Sequence, residues 1–397
     1  MSSIDIVGGI YHERCIWPTW DQFFGSGGRA AAALVGHVDR ITLQSYARAD
    51  TAAIFQAYAN AFGFTFAPQN APQTISFEYI HCLSIPVTRP AIGHIKINPP
   101  ISIKAPVVLR FGMMEGTAIV DADRCVYDPQ STFSPEPFEQ NGSQAKCLAI
   151  VANRGETIAM GQNADPIVAA RNLLMSGKAE IVVVKSGAEG VFIVDAKTVD
   201  RVPAFRTENC WTIGSGDVFA AMFAARWGVH SDKPYDAACL ASKAVAEYVD
   251  SRSLPIVPAA ELSASTRPEA KLVPGSVYIA SPFFTLGQRW LVDEARRCLI
   301  ELGLKVFSPV HDIGPGPAEV VAPADLDALD ASNALFAILD GGDVGTVFEV
   351  GYAKAKGKPV YALAQAMSEE DLKMVSGSLC AVFNDFVTAL HHVAWRT

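Results

Sequence analysis

The chain has 397 residues, 50% hydrophobic, 18% charged and 9% aromatic, with a formal net charge of −9. That length predicts two domains, or one large domain with a substantial attachment, and the apolar content excludes a disordered chain. The acidic balance leaves no large positive field for nucleic acid or an anionic membrane, so neither is expected as a partner. A small basic pocket for a phosphorylated small molecule stays compatible with it.

In chain order, short β-branched runs alternate with stretches of helical spacing. Strands are expected at Ile4–Val7, Thr74–Tyr79, Val107–Phe111, Ala118–Val120, Cys147–Val151, Ile181–Val184 and Gly190–Val194. Helices are expected at Gly28–Gly36, Thr51–Phe62, Asp165–Ser176, Gly216–Arg226 and Tyr235–Asp250. The Pro- and Ile-rich stretch Ser84–Ile103 reads as an irregular flap or edge β-structure. Residues 253–275 carry clustered Pro, Ser and Ala without apolar periodicity and read as an exposed linker. A fresh α/β pattern follows, with strands at Ser276–Ala280, Lys305–Ser308, Ala334–Leu339 and Pro359–Leu363. Helices there are expected at Arg289–Leu302, Asp325–Ala331 and Phe348–Lys356. The alternation predicts parallel sheets covered by helices.

Cys15, Cys82, Cys125, Cys147, Cys210, Cys239, Cys298 and Cys380 form no CxxC pair. A zinc ribbon is excluded, and buried thiols in a reducing cytosol are expected rather than a disulfide framework. No apolar run is long enough for a transmembrane helix. The N-terminus lacks the basic-then-apolar order of a signal peptide. The expected location is cytoplasmic.

Thr212-Ile-Gly-Ser-Gly-Asp-Val-Phe-Ala-Ala places Gly214 and Gly216 around a turn that enters an apolar helix. Unpaired N–H groups and the helix dipole at such a turn favour phosphate oxygens. Asp217, just inside the helix, is placed to take a proton from a hydroxyl attacking a terminal phosphate. By itself the same pattern is also a helix cap with a tight turn.

The stretch resembles the second signature of the ribokinase-like (PfkB) sugar and nucleoside kinases, over roughly residues 1–260. Gly27-Gly28 before an Ala-rich helix is similar to that family's sugar-contacting di-glycine turn, Asn153-Arg-Gly-Glu156 to its Asn-x-x-Glu motif, and Lys185-Ser-Gly-Ala-Glu-Gly190 to its nucleotide loop. The resemblance implies an αβα domain with a small β flap or lid that uses ATP and Mg2+. Gly214 and Gly216 would form the anion hole, with Ser215, Asn153, Glu156, Lys185 and Gly187 also on the nucleotide side. Glu156 would order magnesium through water, Asp217 would be the general base, and Gly27, Gly28 and Glu13 would contact the acceptor. The chain departs from the family at Cys210-Trp211, where an acidic residue is usual, and at Arg29-Ala-Ala-Ala-Ala, which lacks the usual Asn. A domain that binds nucleotide or sugar without catalysis is the alternative.

The C-terminal part carries Asp343-Val-Gly-Thr-Val-Phe-Glu-Val-Gly-Tyr-Ala. Glu349 reads as opening a helix after a Gly-containing turn, a position any helix favours for an acid. Asp325 and Asp343 are expected to converge on it from strand–helix connections. A carboxylate so placed can attack an anomeric carbon, while a second acidic group helps the base depart. This part resembles the nucleoside 2-deoxyribosyltransferases, through Val277-Tyr-Ile-Ala-Ser-Pro-Phe-Phe, Val306-Phe-Ser-Pro309, Ala324-Asp325, the 343–349 stretch and Gly357-Lys-Pro-Val. The resemblance implies a flavodoxin- or Rossmann-like parallel sheet and no cofactor. Glu349 would be the nucleophile, Asp325 and Asp343 would bind and protonate the base, and Tyr278 would orient Glu349. Ser281, Pro282 and Phe283 would line the substrate loop. It also implies a homo-oligomer built through this domain, with Asn384-Asp385 a candidate to complete a neighbour's pocket.

His311 reads as a solvated loop histidine, His391-His392 as no metal site, and Trp211 as either a base-stacking or a core aromatic. The expected division is 1–260 kinase-like, 261–274 linker and 275–397 deoxyribosyltransferase-like. Together these imply a bifunctional salvage enzyme for nucleosides, nucleotides and sugars. The alternative keeps catalysis only in the C-terminal half, as a nucleoside or 5′-monophosphate N-glycosidase.

Overall fold

The structure is a computed structural model that describes residues 1–131 and 134–396. Its backbone contacts divide the chain into two units, Met1–Ala270 and Lys271–Thr397.

The first unit is built on strands β1 (Ser3–Val7), β2 (His12–Cys15), β3 (Trp20–Phe23), β4 (Arg40–Ala47), β5 (Thr65–Asn70), β6 (Ser76–Tyr79) and β7 (Val87–Arg89). It continues with β8 (Ile101–Phe111), β9 (Ala118–Asp128), β10 (Gln144–Asn153), β11 (Ile181–Lys185), β12 (Val191–Val194) and β13 (Val199–Val202). Nine of them form one sheet in the order β13-β12-β11-β10-β9-β8-β1-β4-β5. From β5 to β11 every pairing is parallel, and the β12–β13 hairpin closes one edge antiparallel. Val182, Val183 and Val184 of β11 are wholly buried, as a strand covered on both faces requires. The remaining strands make a separate four-stranded sheet, β3-β2-β6-β7. That small sheet draws on residues 12–23 and 76–89, so most of it precedes the expected flap at Ser84–Ile103. Of its strands, β6 lies within the one expected at Thr74–Tyr79, while β2 and β3 are short and lack the β-branched runs that mark a strand in sequence.

The helices of this unit are α1 (Gly25–Ala33), α2 (Ala49–Phe62), α3 (Arg154–Gly161), α4 (Pro166–Met175), α5 (Ser215–Phe223), α6 (Pro234–Ser251) and α7 (Ala259–Ala264). Every residue of α1 is buried, which its Gly and Ala content permits by letting the backbone approach the sheet closely. The stretch expected as an exposed linker is largely exposed or half-buried, and three apolar residues anchor it. Ile256, Leu262 and Ala270 are 3%, 2% and 0% exposed, and Phe205 bridges Glu269.

The second unit has strands β14 (Ser276–Ala280), β15 (Lys305–Phe307), β16 (Ala334–Ile338), β17 (Val360–Leu363) and β18 (Ala381–Phe383). Its helices are α8 (Leu286–Glu301), α9 (Pro309–Asp312), α10 (Ala318–Ala331), α11 (Val344–Ala355), α12 (Glu369–Gly377) and α13 (Phe386–Trp395). The sheet order is β15-β14-β16-β17-β18, parallel throughout. Numbered within the unit this is 2-1-3-4-5, the flavodoxin-like order, which places a ligand crevice outside the carboxyl ends of the first and third strands. The mixed α/β class expected for both halves is therefore what the chain adopts. No disulfide links the eight cysteines. Among the described residues no helix is long and apolar enough to cross a membrane.

Candidate active sites

In the first unit, parallel strands deliver polar residues to one end of the sheet. β9 ends on Asp128, β10 on Asn153 and β11 on Lys185, while α5 opens from Gly214 beside them. Gly214 has φ +78°, a left-handed conformation that glycine adopts without strain, and it caps α5 so that Asp217 falls in the first turn. The ammonium of Lys185 pairs with Asp128, and a Cβ built on Gly216 would lie 3.4 Å from its Nζ. Burial raises the Asp128 carboxyl to about 7, with the Lys185 charge opposing it and Glu156 and Asp217 adding to it. For Lys185, burial pulls the other way, but Asp128, Glu156 and Asp217 outweigh it and the ammonium is held firmly protonated.

Asn153 and Glu156 form a capping box at the start of α3. The Asn153 side chain accepts from Glu156 N–H at 2.9 Å, and Glu156 Oε2 accepts from Asn153 N–H at 2.7 Å. Gly187 lies in the turn after β11 with φ +55° and open space around it. Asp128 keeps one buried oxygen without a hydrogen-bond partner. Asp128 and Glu156 thus face one ammonium, with Asp217 paired elsewhere, and the remaining negative charge is one that a magnesium ion carried on a triphosphate would relieve. The donor set fits such an ion, with Asp128 and Glu156 the residues to hold it and its water shell.

Around Asp217 the site is organised differently. Asp217 Oδ2 accepts from Arg29 Nη1 at 2.8 Å, and Asp217 Oδ1 accepts from Gln130 Nε2 at 2.7 Å. Arg29 also grips Glu13, with Nη1 to Oε1 at 3.1 Å and Nη2 to Oε2, and its Nε donates to Tyr248 Oη at 2.9 Å. Gly27 and Gly28 do not form an open turn. They lie inside α1, where a Cβ would meet Gly8 backbone at 2.8 Å or the Phe55 ring at 2.7 Å, so they serve close packing. The glycine with the turn conformation is Gly25, at φ +60°. Trp211 is 2% exposed and packs on Trp20, a core aromatic. Sequence reasoning missed Asp128, Gln130 and Tyr248, and noticed Arg29 only as a missing asparagine. Their partners are distant in sequence, and no local motif marks them.

In the second unit, Tyr278 of β14 is wholly buried and its phenol donates to Glu349 Oε1 at 2.5 Å. Glu349 is raised to about 7, first by burial, then by the charges of Asp325 and Asp343, while the Tyr278 hydrogen bond works downward. Burial also raises Asp325, which approaches the same phenol and keeps Oδ1 buried without a partner. The phenol itself is held protonated by burial and by Glu349. Tyr278 and three carboxylates therefore converge at the crevice between β14 and β16.

Two placements differ from expectation. α11 opens at Val344, with Asp343 as its N-cap accepting from Thr346 N–H at 2.7 Å, so Glu349 sits in the second turn rather than opening the helix. Asp325 lies well inside α10, which begins at Ala318 and runs through Pro323, rather than on a strand–helix connection. Ser281, Pro282 and Phe283 follow β14 as expected. Ser281 Oγ donates to the Pro282 carbonyl at 3.0 Å, and the Phe283 carbonyl accepts from Arg289 Nε at 3.1 Å. His311 is not simply solvated, since Nε2 meets Asp293 at 2.7 Å and Nδ1 meets Ser308 at 3.0 Å. Asp385 caps its own helix through Thr388 N–H at 2.7 Å.

The comparisons agree with this two-part geometry. Residues 126–260 match the model of the pfkB family carbohydrate kinases, and residues 277–382 that of the nucleoside 2-deoxyribosyltransferases. The kinase match begins after Glu13, Gly27, Gly28 and Arg29, and it takes in their partners Asp217 and Tyr248 as well as Asp128, Asn153, Glu156 and Lys185. Among solved structures, ribokinase from Thermotoga maritima is 16% identical, covering 66% of this chain and 99% of its own, with a TM-score of 0.48. Phosphofructokinase-2 from Escherichia coli in complex with potassium is 13% identical, covering 66% of this chain and 98% of its own, at 0.46. No curated protein matches the chain. Both matched families are enzyme families, and the chain joins a segment that matches the pfkB carbohydrate kinases to one that matches the nucleoside 2-deoxyribosyltransferases, in that order.

Proposed function

We propose that the chain is a two-part enzyme of nucleoside and nucleotide metabolism whose C-terminal unit breaks an N-glycosidic bond through Glu349. The observation that carries this reading is the half-buried Tyr278–Glu349 hydrogen bond at 2.5 Å, with Asp325 and Asp343 beside it. Tyr278 holds Oε1 and leaves Oε2 to attack C1′ of a 2′-deoxynucleoside. As that C–O bond forms, the C1′–N bond breaks and its electron pair leaves with the base, which takes a proton from Asp325. A second base, or water, then attacks C1′, passes its proton to the Asp325 carboxylate, and frees Glu349 as the C1′–O bond breaks. Chromatography of purine and pyrimidine 2′-deoxynucleosides, with and without an acceptor base, tests this. Base release is expected from the wild-type chain and loss of at least a thousandfold from Glu349→Ala. Release untouched by that change would remove Glu349 as the nucleophile.

For the N-terminal unit the reading is nucleotide binding at the 214–217 turn, with Lys185 on the phosphates and Asp217 placed as base toward a sugar or nucleoside hydroxyl. Magnesium would there offset the charge of the triphosphate. A second reading, binding without transfer, is favoured by one observation: Arg29 is ion-paired to both Glu13 and Asp217. ADP release with ATP, magnesium and a panel of pentoses and nucleosides separates the two. Transfer predicts release that Asp217→Asn abolishes.

A homo-oligomer through the C-terminal unit belongs to the same reading. Val344, Val347 and Phe348 of α11 are 81%, 48% and 60% exposed around Glu349, an apolar rim suited to a second copy.

A further inference from the structure

The two sides of the N-terminal site differ in what fills them. On the nucleotide side, a Cβ at Gly187 would meet no atom within 4 Å, and one at Gly216 would approach only Lys185 Nζ. On the acceptor side, Arg29 is 1% exposed and lies between Glu13 and Asp217, the two carboxylates an acceptor would have to reach. Four of its hydrogen bonds are made inside the protein, to Glu13 twice, Asp217 and Tyr248. A Cβ at Gly214 would fall 2.1 Å from Arg29 Nε, so the turn's backbone lies directly against the guanidinium. Gln130 occupies the other oxygen of Asp217.

We infer that Arg29 is an internal occupant of the acceptor pocket, so that the N-terminal unit holds a nucleoside triphosphate without passing its phosphoryl group to a sugar. The inference rests on the reading that nucleotide binds at the 214–217 turn. A neutral hydroxyl entering the pocket would have to break a buried, bidentate ion pair and leave charges unpaired, a larger loss than its own hydrogen bonds return. An anionic ligand finds few donors there, because the guanidinium's are already engaged. Removing Arg29 opens the pocket to water. Water's oxygen can then bond to the γ-phosphorus, the bond to the β,γ-bridging oxygen breaks with its electron pair leaving on ADP, and water's proton passes to Asp217.

The test uses the full chain with ATP and magnesium, measuring ATP binding by calorimetry and release of ADP and inorganic phosphate. The wild-type chain is expected to bind ATP and to release ADP only at background, with or without ribose or inosine. Arg29→Ala is expected to release ADP and phosphate at least tenfold faster, and adding Asp217→Asn to take that gain away. Glu13→Gln with Arg29→Ala removes one charge of each sign and serves if the single variant does not fold. Acceptor-dependent ADP release by the wild-type chain overturns the inference, as does a folded, ATP-binding Arg29→Ala or double variant with no gain. Absence of ATP binding in the wild-type chain overturns the nucleotide reading, and this inference with it. If neither variant folds, the wild-type panel decides alone.

Discussion

Glu349 shows how burial sets both chemistry and stability at one residue. Its carboxyl is raised from an ordinary 4.5 to about 7, chiefly by burial, with Asp325 and Asp343 adding to it. A nucleophile must be ionised, so base release should fall about tenfold per pH unit below about 7. Tyr278→Phe removes the hydrogen bond that favours the carboxylate, so the inflection of the pH–rate profile should move upward. An inflection that stayed in place would show that the phenol does not tune Glu349. Stability follows the same sign. A carboxyl raised on folding favours the folded state below its unfolded value and loses that advantage as pH climbs through about 7. At pH 8 Glu349 therefore costs about 2 kcal/mol, after allowance for its partial exposure. Glu349→Gln should raise the urea midpoint of the C-terminal unit at pH 8 and leave it nearly unchanged at pH 4.5. Equal gains at both pH values would refute the burial argument.

At the scale of elements, helix ends account for both the successes and the misses of sequence reading. Asp343 is singled out by motif in the sequence, and its local role in the structure is capping, through Thr346 N–H and Oγ1 at 2.7 and 2.9 Å. The two roles separate experimentally. Asp343→Asn keeps a good cap and removes the charge, whereas Asp343→Ala removes both and should cost about 1 kcal/mol. If Asp343 protonates or binds the base, the Asn variant should lose base release while keeping its unfolding midpoint; unaltered turnover would reduce Asp343 to a cap. α10 begins at Ala318, ahead of the helix expected at Asp325–Ala331, and runs through Pro323, although a proline inside helical spacing normally marks a boundary. The β2 and β3 strands were not legible either, since His12–Cys15 and Trp20–Phe23 are short and mixed in polarity. Valine-rich β11 was legible because burial on both faces leaves its mark in the sequence. Arg29 was the opposite case. Its partners lie 16, 188 and 219 residues away, and only the folded sheet brings them to one place.

For the whole molecule, each unit has a hydrophobic core drawn from its own residues. One packs Val108, Val120, Tyr127, Ile150 and Val182 from the large sheet. The other packs Tyr278, Leu335, Val350, Val360 and Val375. Both units exceed the size at which a single core can sustain a domain. Two cores without shared residues should unfold as two cooperative events, and a ligand that binds one unit should stabilise that unit alone. Scanning calorimetry of the full chain is expected to show two transitions. ATP with magnesium at about a hundred times its dissociation constant should stabilise the N-terminal transition by about 2.7 kcal/mol. Glu349→Gln at pH 8 should raise the other. The pair of perturbations also assigns the sites, since nucleotide and glycosidic chemistry are argued for different cores. A single transition moved equally by both would mean that the two cores unfold as one cooperative unit.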